Sequence, residues 1–233
     1  DFFGCENLRE WRNIYGQTLE RVAFRTSFSF ENDASSTLSW LRMGDILAEK
    51  IDASEFDPDL LRSRLPELRE QCRKASPNVF LPNVRQILSE VGVRFVVVRS
   101  PKGCRASGAT RICRGGQATL QMSFRYLSDD HFWFTFFHEI GHLVLHRDSE
   151  MFLEGDFVER DQAEIEANTF SAEILIPAKY RERLASIPKG KRDIMKSAFE
   201  IGVSPGILVG QMQHMRLIPH ASMNFLKRRY KWG

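Results

Sequence analysis

The stretch Phe134-Thr135-Phe136-Phe137-His138-Glu139-Ile140-Gly141-His142-Leu143-Val144-Leu145-His146 decides how this chain is read. Apolar side chains occupy nearly all of its circumference, so it predicts a helix over about 130–146 that is meant for burial. It nevertheless carries three of the six histidines in the chain, with a glutamate beside the first. Residues four apart on a helix differ by about 40° in direction and roughly 6 Å in height, so His138 and His142 can converge on one ion. The HExxH spacing suits Zn²⁺ held by two imidazole nitrogens, with Glu139 projecting toward the open position to take a proton from water. The alternative is a core helix whose histidines hydrogen-bond to backbone, since polar groups on a buried face must find partners.

A catalytic zinc site takes a third protein ligand and keeps a fourth position open. His146 continues the series, but by then the helix has turned about 80° and risen about 12 Å from His138, too far for one ion. It is expected to pack or hydrogen-bond at the rim. Glu164, in Glu164-Ile165-Glu166-Ala167-Asn168-Thr169-Phe170, is the better candidate. Its helix, expected over Gln162–Leu175 and stopped by Pro177, can return antiparallel to the first. Asn168, one turn beyond Glu164 on the same face, is placed to hydrogen-bond the second nitrogen of a ligand histidine. Glu166 points about 200° from Glu164 and is expected to be solvated or salt-bridged.

Outward from this pair of helices, residues 1–75 read as largely helical, over Leu38–Ile51 and Leu60–Cys72, with Pro66 kinking or restarting the second segment. Ser76-Pro77 suggests a boundary within 73–80, and thus a helical interaction segment, 1–76, ahead of a domain over 77–233. A helix at 82–91 should end at Gly92. Strands follow at Val93–Arg99, Ala106–Cys113 and Gln117–Phe124. Arg147–Asp161 reads as an acidic loop that could cover the metal and hold the site latent, and 178–233 as short helices with an extended end. Helices, then strands, then helices give an α+β fold with a small β-sheet.

Composition narrows the function classes. With 233 residues, 42% hydrophobic and 27% charged, the chain is neither disordered nor a disulfide scaffold. Its 33 basic and 30 acidic residues are too balanced to imply nucleic acid or a membrane surface. Four cysteines without a CxxC pair suggest reduced thiols and a cytoplasmic protein. No apolar run reaches the roughly 20 residues of a membrane span.

The two blocks, His138-Glu139-Ile140-Gly141-His142-Leu143-Val144-Leu145-His146 and Glu164-Ile165-Glu166-Ala167-Asn168-Thr169-Phe170-Ser171-Ala172-Glu173-Ile174-Leu175-Ile176-Pro177, resemble the ImmA/IrrE metallo-endopeptidases. The patterns shared are FTxxHExGHxxxH and ExxANxFAxxLLxP, with Ser171 and Ile174 as mild departures. The resemblance covers about 80–220 and includes Met122–Tyr126. It implies a gluzincin-like zincin core, Zn²⁺ on His138, His142 and Glu164, and Glu139 as base. It further implies a protein substrate, such as a transcriptional repressor or the regulator's own chain. The alternative is an antitoxin-like regulatory module that senses a signal or binds a partner without proteolysis. Segments similar to Val22–Arg25 and Ile201–Gly210 occur in HigA-like regulators that carry an N-terminal DNA-binding domain of the helix-turn-helix type. The chain starts Asp1-Phe2-Phe3-Gly4 without Met or such a domain, so it is read as the C-terminal part of a longer regulator. DNA would then be contacted only through that missing domain, and a toxin or a second copy through 1–76.

Four weaker signals remain. Ala198–Ile218 has helix-turn-helix spacing, but with Gly210, Gln211, Gln213 and His214 on its last helix it is expected to pack rather than read DNA. Lys227-Arg228-Arg229-Tyr230-Lys231-Trp232 reads as a solvated basic tail before a nucleic-acid site. Cys104 and Cys113 are weak metal-ligand candidates. Tyr126, His131, Tyr180 and His214 are candidates to stabilise a tetrahedral oxyanion.

Overall fold

The computed structural model describes residues 2–7, 9–12, 16, 34–113, 115–146, 151–154 and 162–232. At its centre lies a sheet in the order β1-β3-β2-β4, from β1 (Val93–Val97), β2 (Gly108–Ile112), β3 (Ala118–Met122) and β4 (Met151–Glu154). β1 runs parallel to β3, and β2 is antiparallel to β3 and β4. Strand β4 corrects the expectation of an uninterrupted loop over 147–161. Its apolar run Met151-Phe152-Leu153 was masked in the pattern by acidic neighbours, and pairing with β2 turns it into an edge. The flanking residues 147–150 and 155–161 lie outside the described ones, as do Val22–Arg25.

Side chains alternate across the sheet with the two-residue period of a strand. Val96, Val98 and Ala109 meet Trp40, Leu41 and Ala48 of helix α1 (Ala34–Ala48) on one face. That contact is fixed by Trp40 Nε1 donating to the Val98 carbonyl at 3.0 Å and by Gln121 Nε2 donating to the Trp40 carbonyl at 2.7 Å. Phe95, Leu120 and Met122 point to the other face, into the main core. There lie α2 (Pro58–Ser63), α3 (Leu65–Gln71), α4 (Pro77–Glu90), α5 (Asp129–Leu145), α6 (Gln162–Leu175), α8 (Lys191–Ile201) and α9 (Pro205–His214), with the short α7 (Ala178–Arg181) between α6 and α8. The class is α+β, as the element order predicts.

The proline readings divide. Pro66 restarts the chain as α3. Pro77 does not break a helix but opens α4, where a missing N–H costs nothing. Pro82 sits inside α4, and the burial of Phe80, Val84, Ile87 and Leu88 outweighs the hydrogen bond it removes. Leu61, Leu65, Leu68 and Cys72, before the expected 73–80 boundary, share one core with Val84, Trp133 and Phe137 beyond it.

The C-terminal residues correct a second expectation. They are not a solvated tail. Tyr230 is buried against Phe80 and Phe124, and its N–H donates to the Leu127 carbonyl at 2.8 Å. Arg228 Nη1 donates to the Arg73 and Lys74 carbonyls that follow α3. A basic-aromatic run can dock this way because the aromatic ring supplies apolar area while the guanidinium collects orphan carbonyls.

This docking also secures the start of α5. Asp129 Oδ1 accepts from the Asp130 and Arg228 N–H groups, and its Oδ2 accepts from Ser204 Oγ at 2.6 Å. Burial pushes the Asp129 carboxyl up, against the lowering effect of Ser204. Lys227 pairs with Asp130 at 2.6 Å. α9 reaches this acid pair because Gly206 and Gly210 present no side chains to it. A Cβ on Gly206 would lie 2.3 Å from Asp129 Oδ1, and one on Gly210 would lie 2.7 Å from Asp130 Cβ. Gly206→Ala is therefore expected to destabilise the fold by about 1–3 kcal/mol, through overpacking. Urea unfolding checks this, and an unchanged midpoint would show that α9 is not held against Asp129.

Candidate metal centre

Helix α5 is buried almost from end to end, with Trp133, Phe136, Phe137 and Ile140 fully enclosed. Phe132 stacks on Phe124 at 4.6 Å, and Phe136 meets Phe95 edge-on at 5.6 Å. Each such side chain contributes roughly 1.5–3 kcal/mol of burial, enough to carry polar groups inward on the same helix. His138, Glu139 and His142 are among them, all at most 1% exposed.

Helix α6 brings the third group. It crosses α5 at Gly141, where an added Cβ would lie 3.2 Å from the Ala167 Cα. Ser171, buried at this crossing, donates to the Phe134 carbonyl at 2.8 Å. The far end of α6 is tied by Arg69 of α3, whose Nε donates to the Ile174 carbonyl and whose Nη2 donates to those of Leu175 and Ile201. The first turn of α6 is thereby directed at the two histidines. Glu164 Oε2 lies 3.1 Å from His138 Nε2, Glu164 Oε1 3.5 Å from His142 Nε2, and the two Nε2 atoms are 2.9 Å apart.

These separations fit a metal. Tetrahedral ligands at about 2.0–2.1 Å place their donor atoms about 3.3 Å from one another. Two imidazoles and one carboxylate are the donor set of an open catalytic site rather than a closed structural one. Among the described residues His138, His142 and Glu164 are the group that could hold an ion, and the α+β fold around them is compatible with a zincin-like core. Cys104 is instead buried under α1, and Cys113 Sγ lies 3.4 Å from Thr119 Oγ1.

Both donor types are held ready to bind. Burial drives His142 down to about 4, so its ring stays neutral. Burial alone would raise Glu164, but hydrogen bonds from His138 and His142 outweigh it and hold the carboxyl well below the usual carboxylate range. Beyond them, His138 Nδ1 meets Asn168 Oδ1 at 3.0 Å. His142 Nδ1 meets His146 Nδ1 at 3.2 Å, and His146 Nε2 meets Glu166 Oε2 at 3.0 Å. The chain Glu166–His146–His142 joins two residues that periodicity within each helix leaves as separate rim groups. Its signal was present in the spacing, because residues four apart on one helix stack and the antiparallel return brings Glu166 alongside.

Glu139 is enclosed beside the ligands, against Gly108 at the start of β2. A Cβ at Gly108 would lie 2.5 Å from Glu139 Oε1, so only glycine leaves room for the carboxylate. Sequence pattern offered no sign of this cradle, since Gly108 sat in a stretch read for its strand content alone.

The four oxyanion candidates scatter. Tyr180 donates its hydroxyl to the Glu200 carbonyl, and Tyr126 packs on His131 at 4.4 Å. His214 is one ring removed from the ligands, 6.4 Å from Phe134, which is itself 6.5 Å from His138. In Ala198–Ile218 the buried Gln211 and Gln213 face inward, Gln213 donating to the His220 and Ser222 carbonyls.

Residues 122–209 match the family model described as the IrrE N-terminal-like domain, Peptidase_M78, which supports a metallopeptidase-type domain in this part of the chain. A search of curated proteins returned no significant match. No helix among the described residues is long and apolar enough to cross a membrane.

Two outcomes follow for the metal-free protein and its reloading. Asn168→Ala is expected to weaken metal affinity about 10–100-fold by releasing the His138 ring, as read by chelator competition. The pH dependence has one sign. Between 6.5, the ordinary value, and about 4, the unfolded chain binds a proton at His142 that the folded chain does not. Stability of the metal-free fold should therefore fall as pH is lowered through that window, by at most roughly 3 kcal/mol from this group. Glu164, held low, adds a loss of the same sign as pH falls below the ordinary 4.5. Denaturation midpoints that stay flat from pH 7 to 4 would contradict the buried, neutral His142.

Proposed function

We propose that this chain, whose residues 122–209 match the IrrE N-terminal-like family model, is a zinc-dependent endopeptidase acting on a protein substrate. The observation that carries the reading is the convergence of His138, His142 and Glu164 with Glu139 enclosed at their side. His138, His142 and Glu164 would hold the zinc. When bound, the ion supplies Lewis acidity, lowering the pKa of a water and polarising the scissile carbonyl.

The remaining work falls to the protein. Glu139, kept from bulk water by Gly108 and the α5 core, takes the proton from the attacking water and delivers it to the leaving amine. Its enclosure fixes the carboxylate in place before substrate arrives, so little reorganisation is needed when charge moves. Asn168 and the His146–Glu166 pair hold the ligand rings in orientation. The resemblance to the ImmA/IrrE peptidases makes a transcriptional repressor the favoured substrate class.

Glu139→Gln tests the assignment, because it preserves shape and removes the base. The zinc content by mass spectrometry should stay near one equivalent. Cleavage of a quenched fluorescent peptide library, and of a co-purified helix-turn-helix repressor, should fall about 10²–10⁴-fold. Wild-type protein that binds zinc but leaves both substrates intact would overturn the endopeptidase reading.

A further inference from the structure

The backbone of Gly108 does not require a glycine. Its φ lies outside the left-handed region, in ordinary strand geometry that any residue adopts. Glycine at such a place weakens the strand, because it loses more backbone freedom on folding than alanine does. The residue is buried and paired on both sides, with Met122 of β3 and Glu154 of β4. What the position excludes is a side chain. An added Cβ would lie 2.5 Å from Glu139 Oε1, 2.7 Å from its Cγ and 2.9 Å from its Cδ. The three nearest atoms all belong to the base.

Neither wall of this contact can draw back. On the strand side, Ala109 packs with Trp40 and Leu41 of α1 on the opposite face of the sheet. Arg111 Nη2 donates to Asp45 Oδ1 at 2.6 Å and to Gln121 Oε1 at 3.1 Å. Just before β2, the Ser107 carbonyl accepts from the Ser123 N–H, and the Ala106 carbonyl from Ser123 Oγ, both at 2.9 Å. On the helix side, Trp133, Phe136, Phe137 and Ile140 are fully enclosed. Gly141, about 200° around α5 from Glu139, meets Ala167 of α6 with no space to spare. Helix α5 is thus held between β2 and α6.

With both walls fixed, the part able to give way is the Glu139 side chain. Carbon atoms rest about 3.5–4.0 Å apart, so a methyl at 108 would drive the carboxylate aside by about 1 Å. A displacement of that size at a reacting group can cost about 10²-fold in rate. His138 and His142 are held instead by Asn168 and His146, and Glu164 by the α6 crossing. The closest contacts at Gly108 therefore fall on the base and not on the ligands.

We propose that Gly108, which lies ahead of the residues matched by the family model, is the positioning residue for Glu139. The absence of its side chain sets where the carboxylate stands beside the ligands, so that turnover depends on it and metal retention does not. The proposal rests on the endopeptidase reading and names the residue that places its base.

The test uses the full zinc-loaded chain as wild type, Gly108→Ala, Glu139→Gln and the double variant. On one peptide that wild type cleaves, Gly108→Ala is expected to lower kcat about 10²-fold. KM, and zinc affinity by chelator competition, should stay within about twofold of wild type. In the Glu139→Gln chain the same substitution should change the residual rate less than about threefold, because the base is already gone. Equal losses in both backgrounds, no loss in wild type, or a zinc affinity that falls along with kcat overturns the role. A second readout needs no turnover. Acetohydroxamate binds zinc as its anion and passes its proton to a neighbouring base, so its affinity reports where the carboxylate stands. By calorimetry, wild type should bind it about tenfold more tightly than either single variant, with no further loss in the double variant. If wild type cleaves nothing, the endopeptidase reading falls and the acetohydroxamate cycle decides the role of Gly108. A loss confined to chains that keep Glu139 supports it, and equal or absent losses overturn it. If circular dichroism shows that Gly108→Ala does not fold, adding Glu139→Ala should restore the fold by vacating the space. Restoration supports the contact, and a double variant that stays unfolded overturns it.

Discussion

Everything in this structure is subordinate to burying two imidazoles and two carboxylates within about one turn of helix and its neighbour. Taken singly, each of these groups loses hydration that an apolar core does not replace. Brought together, the two histidines and Glu164 satisfy one another, with Asn168 engaging His138 and His146 with Glu166 engaging His142. The rest of the fold supplies the apolar area that forces the groups inward and the hydrogen bonds that fix their register. Phe80, Phe95, Trp133 and Phe136 do the first. Arg69, Ser171 and Ser204 do the second, each gathering an end or a crossing of the helices that matter.

The anchoring is long-range, and that bears on function. Arg69 lies more than a hundred residues before the carbonyls it gathers, and Arg228 a similar distance after the Asp129 carboxylate that accepts its N–H. A site held this way is preorganised, because no single loop governs the distance between α5 and α6. It also means that residues ahead of the peptidase match help to support its site. Arg69 caps α6, the helix that carries Glu164, and Leu61 and Leu68 fill the core under α5.

The central site was readable in advance because each of its parts is a local pattern. Helical periodicity alone aims His138 and His142 together, and the same periodicity places Asn168 behind Glu164. The strands at 93–97 and 118–122 were legible as well, the first from its β-branched and aromatic run and the second from its alternation. Strand β4 and the docked tail did not, because their signals were contrary: acidic residues around Met151–Glu154, and positive charge over Lys227–Lys231. Composition read those runs as solvent-facing, whereas sheet pairing and a single buried tyrosine gave them places in the fold.

What the chain determined by itself was the chemistry and its spacing: two histidines and a base on one turn of a helix too apolar to stay outside. What only the tertiary structure decided was which distant groups complete that chemistry. Glycine at 108 could not be told from any strand glycine until Glu139 was seen to occupy the space of its missing side chain. The same holds for the acid pair that opens α5. The physical reason is common to both. Periodicity describes neighbours along one element, whereas close approach between elements depends on which side chains are absent or charged at a crossing, and no local pattern records the partner.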